Sequence, residues 1–368
     1  MALANCASPI DTGAMPAGAS RSGVNADRAA ASGQVAAVGL RLAASADPAS
    51  AAASGPVAPR IPAYLDLLET GELARRAKEA DGRLVACDLC ARHCRVDRHR
   101  TIRGAVCRTG DLAVVSSFGP HRGEEQPLSG RGGSGTIFFA WCPLRCEFCQ
   151  NWEISQRGHG GAVSALQLAS MMLELQAVGC HNINLVTPSH VVAQVIAAVL
   201  VAAQAGLRLP LVYNTGGYDS LEALALLDGV VDIYMPDMKY GDSAVAQRLS
   251  HVPDYVAVNR AAVTEMHRQV GDLELDEAGV ARRGLLVRHL VLPDDLASSE
   301  AVLRYLADEI STNTYLNLMD QYRPCYRAEE LPPLNRPITR PEFERVVAVA
   351  RRLGLHRLDP GGRWPVAS

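Results

Sequence analysis

Residues 136–155 read TIFFAWCPLRCEFCQNWEIS, a β-rich run that leads straight into three cysteines spaced C-x3-C-x2-C: Cys142, Cys146 and Cys149. The β-branched and aromatic content before the loop suits a buried strand. Three thiols within so short a loop can wrap a soft metal centre. Downstream, the text alternates. β-rich runs occur at NINLVT (182–187), LVYN (211–214), VVDIYM (230–235), GLLVRHLVL (284–292) and YLNLM (315–319). Helical patterns lie between them: 164–179 with Ser164 as N-cap and Gly179 as stop, 191–206, 219–229 opening at Asp219, and 254–271 opening at Asp254. A last helix starts at Thr339, with Pro341 and Glu342 in capping-box spacing. This alternation implies parallel strands joined by crossover helices, in an open doubly wound sheet or a full or partial barrel. In either, the working residues belong at the C-terminal ends of the strands.

Around this core the chain is ordinary in bulk. Its 368 residues leave room for two domains or one large one. A net charge of −3 argues against nucleic-acid or anionic-membrane partners held by bulk charge. The apolar run Val191–Leu207 is broken by Gln194, Gln204 and Gly206 and falls short of the ~20 residues that span a bilayer, so it reads as a core helix. The first residues lack the basic start and apolar stretch of a secretory signal, and the chain is expected in the cytoplasm. Twenty of the first 58 residues are Ala and no aromatic precedes Tyr64, so 1–60 is expected to be a disordered tail. Residues 61–130 form an extension: a helix over 61–80, a Cys-rich metal-held stretch, then a Gly-rich loop. The core domain runs from 131 to 355, and 356–368 is a C-terminal tail. In a cytoplasmic chain the ten cysteines are metal ligands or reactive thiols rather than disulfides.

Three protein thiolates leave a fourth coordination position open, unless a distant His completes a zinc loop. The run CPLRCEFCQN resembles the cluster loop of the radical S-adenosylmethionine (radical SAM) superfamily, C-x3-C-x-aromatic-C, with Phe148 as the aromatic. Within it, residues 131–325 are most similar to pyruvate formate-lyase activating enzyme and its relatives. The resemblance implies an α/β fold, a partial (β/α)6 TIM-like barrel of the radical SAM type with a Cys-rich N-terminal extension. It also implies an enzyme in which Cys142, Cys146 and Cys149 hold a [4Fe-4S] cluster whose fourth iron is chelated by S-adenosyl-L-methionine (SAM). One electron, from reduced flavodoxin or ferredoxin, then cleaves SAM to methionine and a 5′-deoxyadenosyl radical that abstracts hydrogen. The substrate would be a glycyl-radical partner enzyme, a small molecule or another protein.

The same resemblance assigns SAM contacts. Phe148 packs near the adenine. Thr187, in TPSH, stands where many members carry Gly-Gly-Glu for the amino group. Asn214 begins the turn NTGGY; Asp237 and Lys239, in DMK, bind ribose hydroxyls and carboxylate; Arg288, in VRHLVLP, binds the carboxylate or helps fix the substrate. Structural readings stand beside these: Asp237 and Lys239 pair only with each other, and Arg288 makes an ion pair.

A second set, Cys87-x2-Cys90-x3-Cys94 with Cys107 further on, suits a closed four-thiolate site for zinc or an iron–sulfur cluster, and differs from the ferredoxin run C-x2-C-x2-C-x3-C-P. Zinc there would staple a small subdomain; a cluster would relay electrons. His93 reads as solvated, Cys180 as a buried inert thiol, and residues 121–125 (HRGEE) as a loop over the first cluster. The rival readings are an iron–sulfur electron-transfer protein and a zinc-dependent binding module.

Overall fold

A computed structural model describes residues 62–364 and residue 366, and all six β-rich runs form strands in it. The Ala-rich stretch 1–60 lies outside the described residues. The chain begins with α1 (Tyr64–Glu69) and α2 (Glu72–Gly82), where one helix was expected; Gly71, at φ +77°, turns the chain between them. The Cys-rich stretch follows. It leads into β1 (Ala113–His121), α3 (Gln126–Ser129), β2 (Ser134–Phe139), α4 (Trp152–Ser155) and β3 (Gly161–Val163). Then come α5 (Ala165–Ala177), β4 (Ile183–Val186), α6 (Val192–Gln204), β5 (Leu211–Thr215), α7 (Leu221–Leu227) and β6 (Ile233–Pro236). The remainder is α8 (Ser243–Ser250), α9 (Tyr255–Val270), β7 (Glu274–Leu275), β8 (Ala281–Leu290), α10 (Ser299–Tyr305), β9 (Tyr315–Met319) and α11 (Arg340–Arg352).

The result is an α/β architecture on one mixed nine-stranded sheet, ordered β3-β1-β2-β4-β5-β6-β8-β7, with β9 also on β8. β2, β4, β5, β6, β8 and β9 run parallel; β1, β3 and β7 pair antiparallel. β1 falls in the stretch read as module and loop, so residues 61–130 contribute a strand to the sheet. Residues past α11 also return to it: Leu358 bridges Leu316, and the backbone N–H groups of Arg363 and Trp364 donate to Asp320. None of the described helices is long and apolar enough to cross a membrane.

The capping box expected at Thr339 forms with Glu342, and the expected N-cap Ser164 forms a second box with Gln167. The Asp219 cap does not. Ser220 caps α7 instead, while Asp219 accepts from Thr215 Oγ1 at 2.6 Å and Tyr213 Oη at 3.0 Å. Asp254 precedes α9 without a capping bond and accepts from Tyr218 Oη.

Because strand side chains alternate, the sheet has two apolar faces. Ile183, Leu185, Tyr213, Tyr234, Leu285 and Val287 join the large helix-covered core. Val212, Ile233, Met235, Leu286 and Tyr315 form a second cluster with Leu128 of α3. Each such buried side chain contributes about 1.5–3 kcal/mol. Two residues further along the same face, toward the C-terminal strand ends, stand Asn214, Asp237, Arg288 and Asn317.

Candidate metal and cosubstrate site

The loop leaving β2 is bent around its three cysteines. Trp141 (φ +69°) and Arg145 (φ +59°) both occupy the left-handed region, a cost of about 1–3 kcal/mol each that folds keep mainly at functional sites. Each sulfur has a hydrogen-bond partner. Leu144 N–H donates to Cys142 Sγ (3.5 Å), Ser250 Oγ–H to Cys146 Sγ (3.0 Å), and Ser155 Oγ lies 3.2 Å from Cys149 Sγ. Phe148 wedges edge-on between Tyr240 and Tyr322, locking the loop to the core. Burial, and then the neighbouring Cys146 charge, pushes the Cys142 thiol up to about 12 and the Cys149 thiol upward. A cationic centre bound between them would favour the thiolates that this burial disfavours.

Five of the strand-end residues singled out in the sequence meet in the structure. Arg288 Nε donates to Asp237 Oδ1 and Arg288 Nη2 to Asn214 Oδ1, both at 2.8 Å, and Lys239 Nζ pairs with Asp237 Oδ2. Thr187, itself at φ +62°, donates its N–H to Asn214 O. Burial alone would raise the Asp237 pKa, but Arg288 and Lys239 hold it below the usual carboxylate range. Both of its oxygens are engaged, so Asp237 orients two cations. The Lys239 charge reaches Cys146 and Cys149, which sets this polar floor beside the cysteine loop. Gly217, at φ +73°, makes the turn possible: a Cβ there would sit 2.2 Å from Asp237 O.

Sequence reasoning missed two members. Glu125 was read as part of a covering loop; it is buried, accepts from Asn317 Nδ2 at 2.8 Å, and leaves Oε2 without a hydrogen-bond partner. Burial pushes its pKa up against the pull of Arg288. Asn317, a lone amide in the apolar strand YLNLM, was the available signal.

The second cysteine set also gathers. Cys87, Cys90 and Cys107 are buried and Cys94 half-buried, close enough for each charge to bear on Cys90. Among the described residues, no three His, Cys, Asp or Glu side chains converge where one metal ion would sit. A cuboidal cluster sets a different demand, since each thiolate meets a different iron and the ligands stand apart around it. The all-thiolate donor chemistry of both sets fits such a cluster. Cys180 is buried and free, as expected.

His190 ties the turn after β4 to the cysteine loop, its Nε2–H donating to Ala140 O at 2.9 Å. Burial, and then the Arg98 charge, lowers its pKa to about 3. The folded chain therefore binds fewer protons here than the unfolded chain between about pH 6.5 and 3, and stability should fall as pH drops through that window. The slope approaches ~1.4 kcal/mol per pH unit. Urea unfolding at pH 7.5 and 5.5 should show this loss, and His190→Gln should flatten it; an unchanged slope in the variant would assign the loss to other groups.

No family model matches this sequence. It is similar to the uncharacterized protein MJ0674 of Methanocaldococcus jannaschii, 31% identical over 280 residues that cover 73% of this chain and 75% of that one.

Proposed function

The chain belongs to the family of that archaeal protein, and from its thiol loop we propose that it is a radical SAM enzyme of the pyruvate formate-lyase activating-enzyme type. The observation that carries this is three hydrogen-bonded cysteines from one strained loop, Cys146 buried and Cys142 and Cys149 half-buried, set beside a Lys239–Asp237–Arg288 floor built on the buried Asp237 at the ends of parallel strands. The strand sequence β2-β4-β5-β6-β8-β9 supports a partial (β/α)6 barrel.

Cys142, Cys146 and Cys149 would hold a [4Fe-4S] cluster with one iron left to SAM. When bound, that pair supplies one-electron cleavage of the sulfonium to methionine and a 5′-deoxyadenosyl radical. The chain's own residues bind and orient. Lys239 presents its ammonium to the methionine carboxylate, and Arg288 fixes Asn214 at the floor. Asp237 keeps both cations in place, Thr187 faces the amino group, and Phe148 holds the loop against the adenine side. The burial of the floor limits access of water to a reactive intermediate. Reduced flavodoxin or ferredoxin would supply the electron in the cytoplasm. A backbone glycine of a partner enzyme is the favoured hydrogen source, with a small molecule or another protein as the alternative.

The test is anaerobic. Protein reconstituted with iron and sulfide, reduced with dithionite and mixed with SAM should yield 5′-deoxyadenosine and methionine. A cluster-loaded sample that forms neither, and whose EPR signal SAM leaves unchanged, would overturn the proposal.

A further inference from the structure

The two cysteine sets are joined through the residues next to their ligands. Arg92, between Cys90 and Cys94, donates from Nε to Pro143 O (2.8 Å), from Nη1 to His251 O (2.9 Å) and from Nη2 to Leu144 O (3.5 Å). Arg108, next to Cys107, lies over the ring of Trp141, next to Cys142, at 5.2 Å. The second set also bends a non-glycine backbone: His93, Arg95 and Arg108, each beside a cysteine, have φ between +41° and +54°. A staple could stand anywhere in the fold; this one abuts the first centre.

Arg98 sets this site apart from a structural one. It is 2% exposed and has no ion-paired carboxylate among the described residues. Its guanidinium donates to Cys87 Sγ (3.5 Å) and to the carbonyls of Thr109, Gly110 and His190. A buried cation without a carboxylate calls for negative charge nearby, and the cysteines are the group placed to supply it. N–H···S bonds tune the reduction potential of an iron–sulfur cluster, a property that redox-inert zinc does not have. The surface end of the site is Cys94, half-buried where the other three are buried; its chain neighbour Arg95 is exposed, as are Arg100 and Arg103 in the same segment. Residues 83–108 hold seven Arg against two Asp in a chain of net charge −3.

We infer that Cys87, Cys90, Cys94 and Cys107 hold a second iron–sulfur cluster, which accepts single electrons from an acidic one-electron protein carrier at the Cys94 edge and passes them to the centre at Cys142, Cys146 and Cys149. The carrier is oxidised by one electron, the second cluster is reduced and reoxidised, and the first centre is reduced; no bond or proton moves. The destination of the electron rests on the proposed function; the identity of the second centre does not.

The experiment uses the full chain with Cys142, Cys146 and Cys149 all replaced by Ala, reconstituted anaerobically with iron, sulfide and zinc all present. Equal iron and acid-labile sulfide, with a paramagnetic signal after dithionite, is the expected result; bound zinc without iron overturns it. Should that variant not fold, potentiometric EPR on the unaltered chain and on Arg98→Gln decides. Two signals are expected, one of which moves to lower potential in the variant; a single signal, or two unmoved, overturns the inference. For the relay, reduction of the first centre by reduced flavodoxin should slow at least tenfold in Cys90→Ala/Cys107→Ala, while dithionite and SAM still change that centre's EPR. Unslowed reduction refutes the relay. A missing SAM response in the unaltered chain refutes the proposed function instead.

Discussion

Cys146→Ala should lose the iron of the first centre and form 5′-deoxyadenosine at least ~10³-fold more slowly, as expected when one member of a group that acts as a unit is removed. Cys146 is the most enclosed of its three thiols, 8% exposed, and its neighbours are arranged around it. Ser250 donates to its sulfur and is itself 2.7 Å from Tyr240 Oη, while Gln156 Nε2 holds its carbonyl. Its charge also bears on Cys142, Cys149 and Lys239. Two remaining thiolates cannot anchor a four-iron cluster, and no other cysteine of this loop can replace the third. The metal at Cys87–Cys107 should stay. Counting iron and product on one sample checks both statements, and undiminished turnover in the variant would remove Cys146 from the ligand set.

Asp237→Ala should cost up to about 3–5 kcal/mol of folding stability, because it strands two cations, each less than a fifth exposed, whose other compensation is partial. Arg288 would keep Asn214 and the more distant Glu125; Lys239 would lose the carboxylate it pairs with. The penalty comes from uncompensated charge rather than lost packing, so a compensating pair of changes should separate the two. Asp237→Leu with Arg288→Met removes one charge of each sign and should recover most of the loss, although Lys239 remains. Denaturant midpoints of the single and double variants measure this. A double variant as unstable as Asp237→Ala would mean that Asp237 acts through packing.

Much of this site was legible in local pattern. The cysteine spacings, the six parallel strands, the Ser164 cap and the Thr339 capping box are carried by residues within a few positions of one another, where alternation and side-chain chemistry act directly. β1 was not legible, since AVVSSFGPH places two serines and a proline in a strand whose pairing comes from β2 and β3. The misplaced cap at Asp219 reflects competition: Ser220 is an equally good cap, and Asp219 has better donors in Thr215 and Tyr213. Asp237, Lys239 and Arg288 were each found, and so were an Asp237–Lys239 pair and an ion pair for Arg288; that Asp237 serves both cations was not, since strand register alone sets Asp237 across from Arg288. The same holds for Glu125 and Asn317, which no short window contains together.

That last pair has a consequence for how the protein is made. Glu125 and Asn317 lie 192 positions apart, and at 5–20 residues per second a ribosome needs about 10–40 s to travel between them. All seven cysteines proposed to hold clusters precede in the chain the strand that carries Asn317. On the proposed function, these thiols are made before the fold that shields them is complete, and co-expression with an ample iron–sulfur assembly supply should raise the yield of iron-loaded protein.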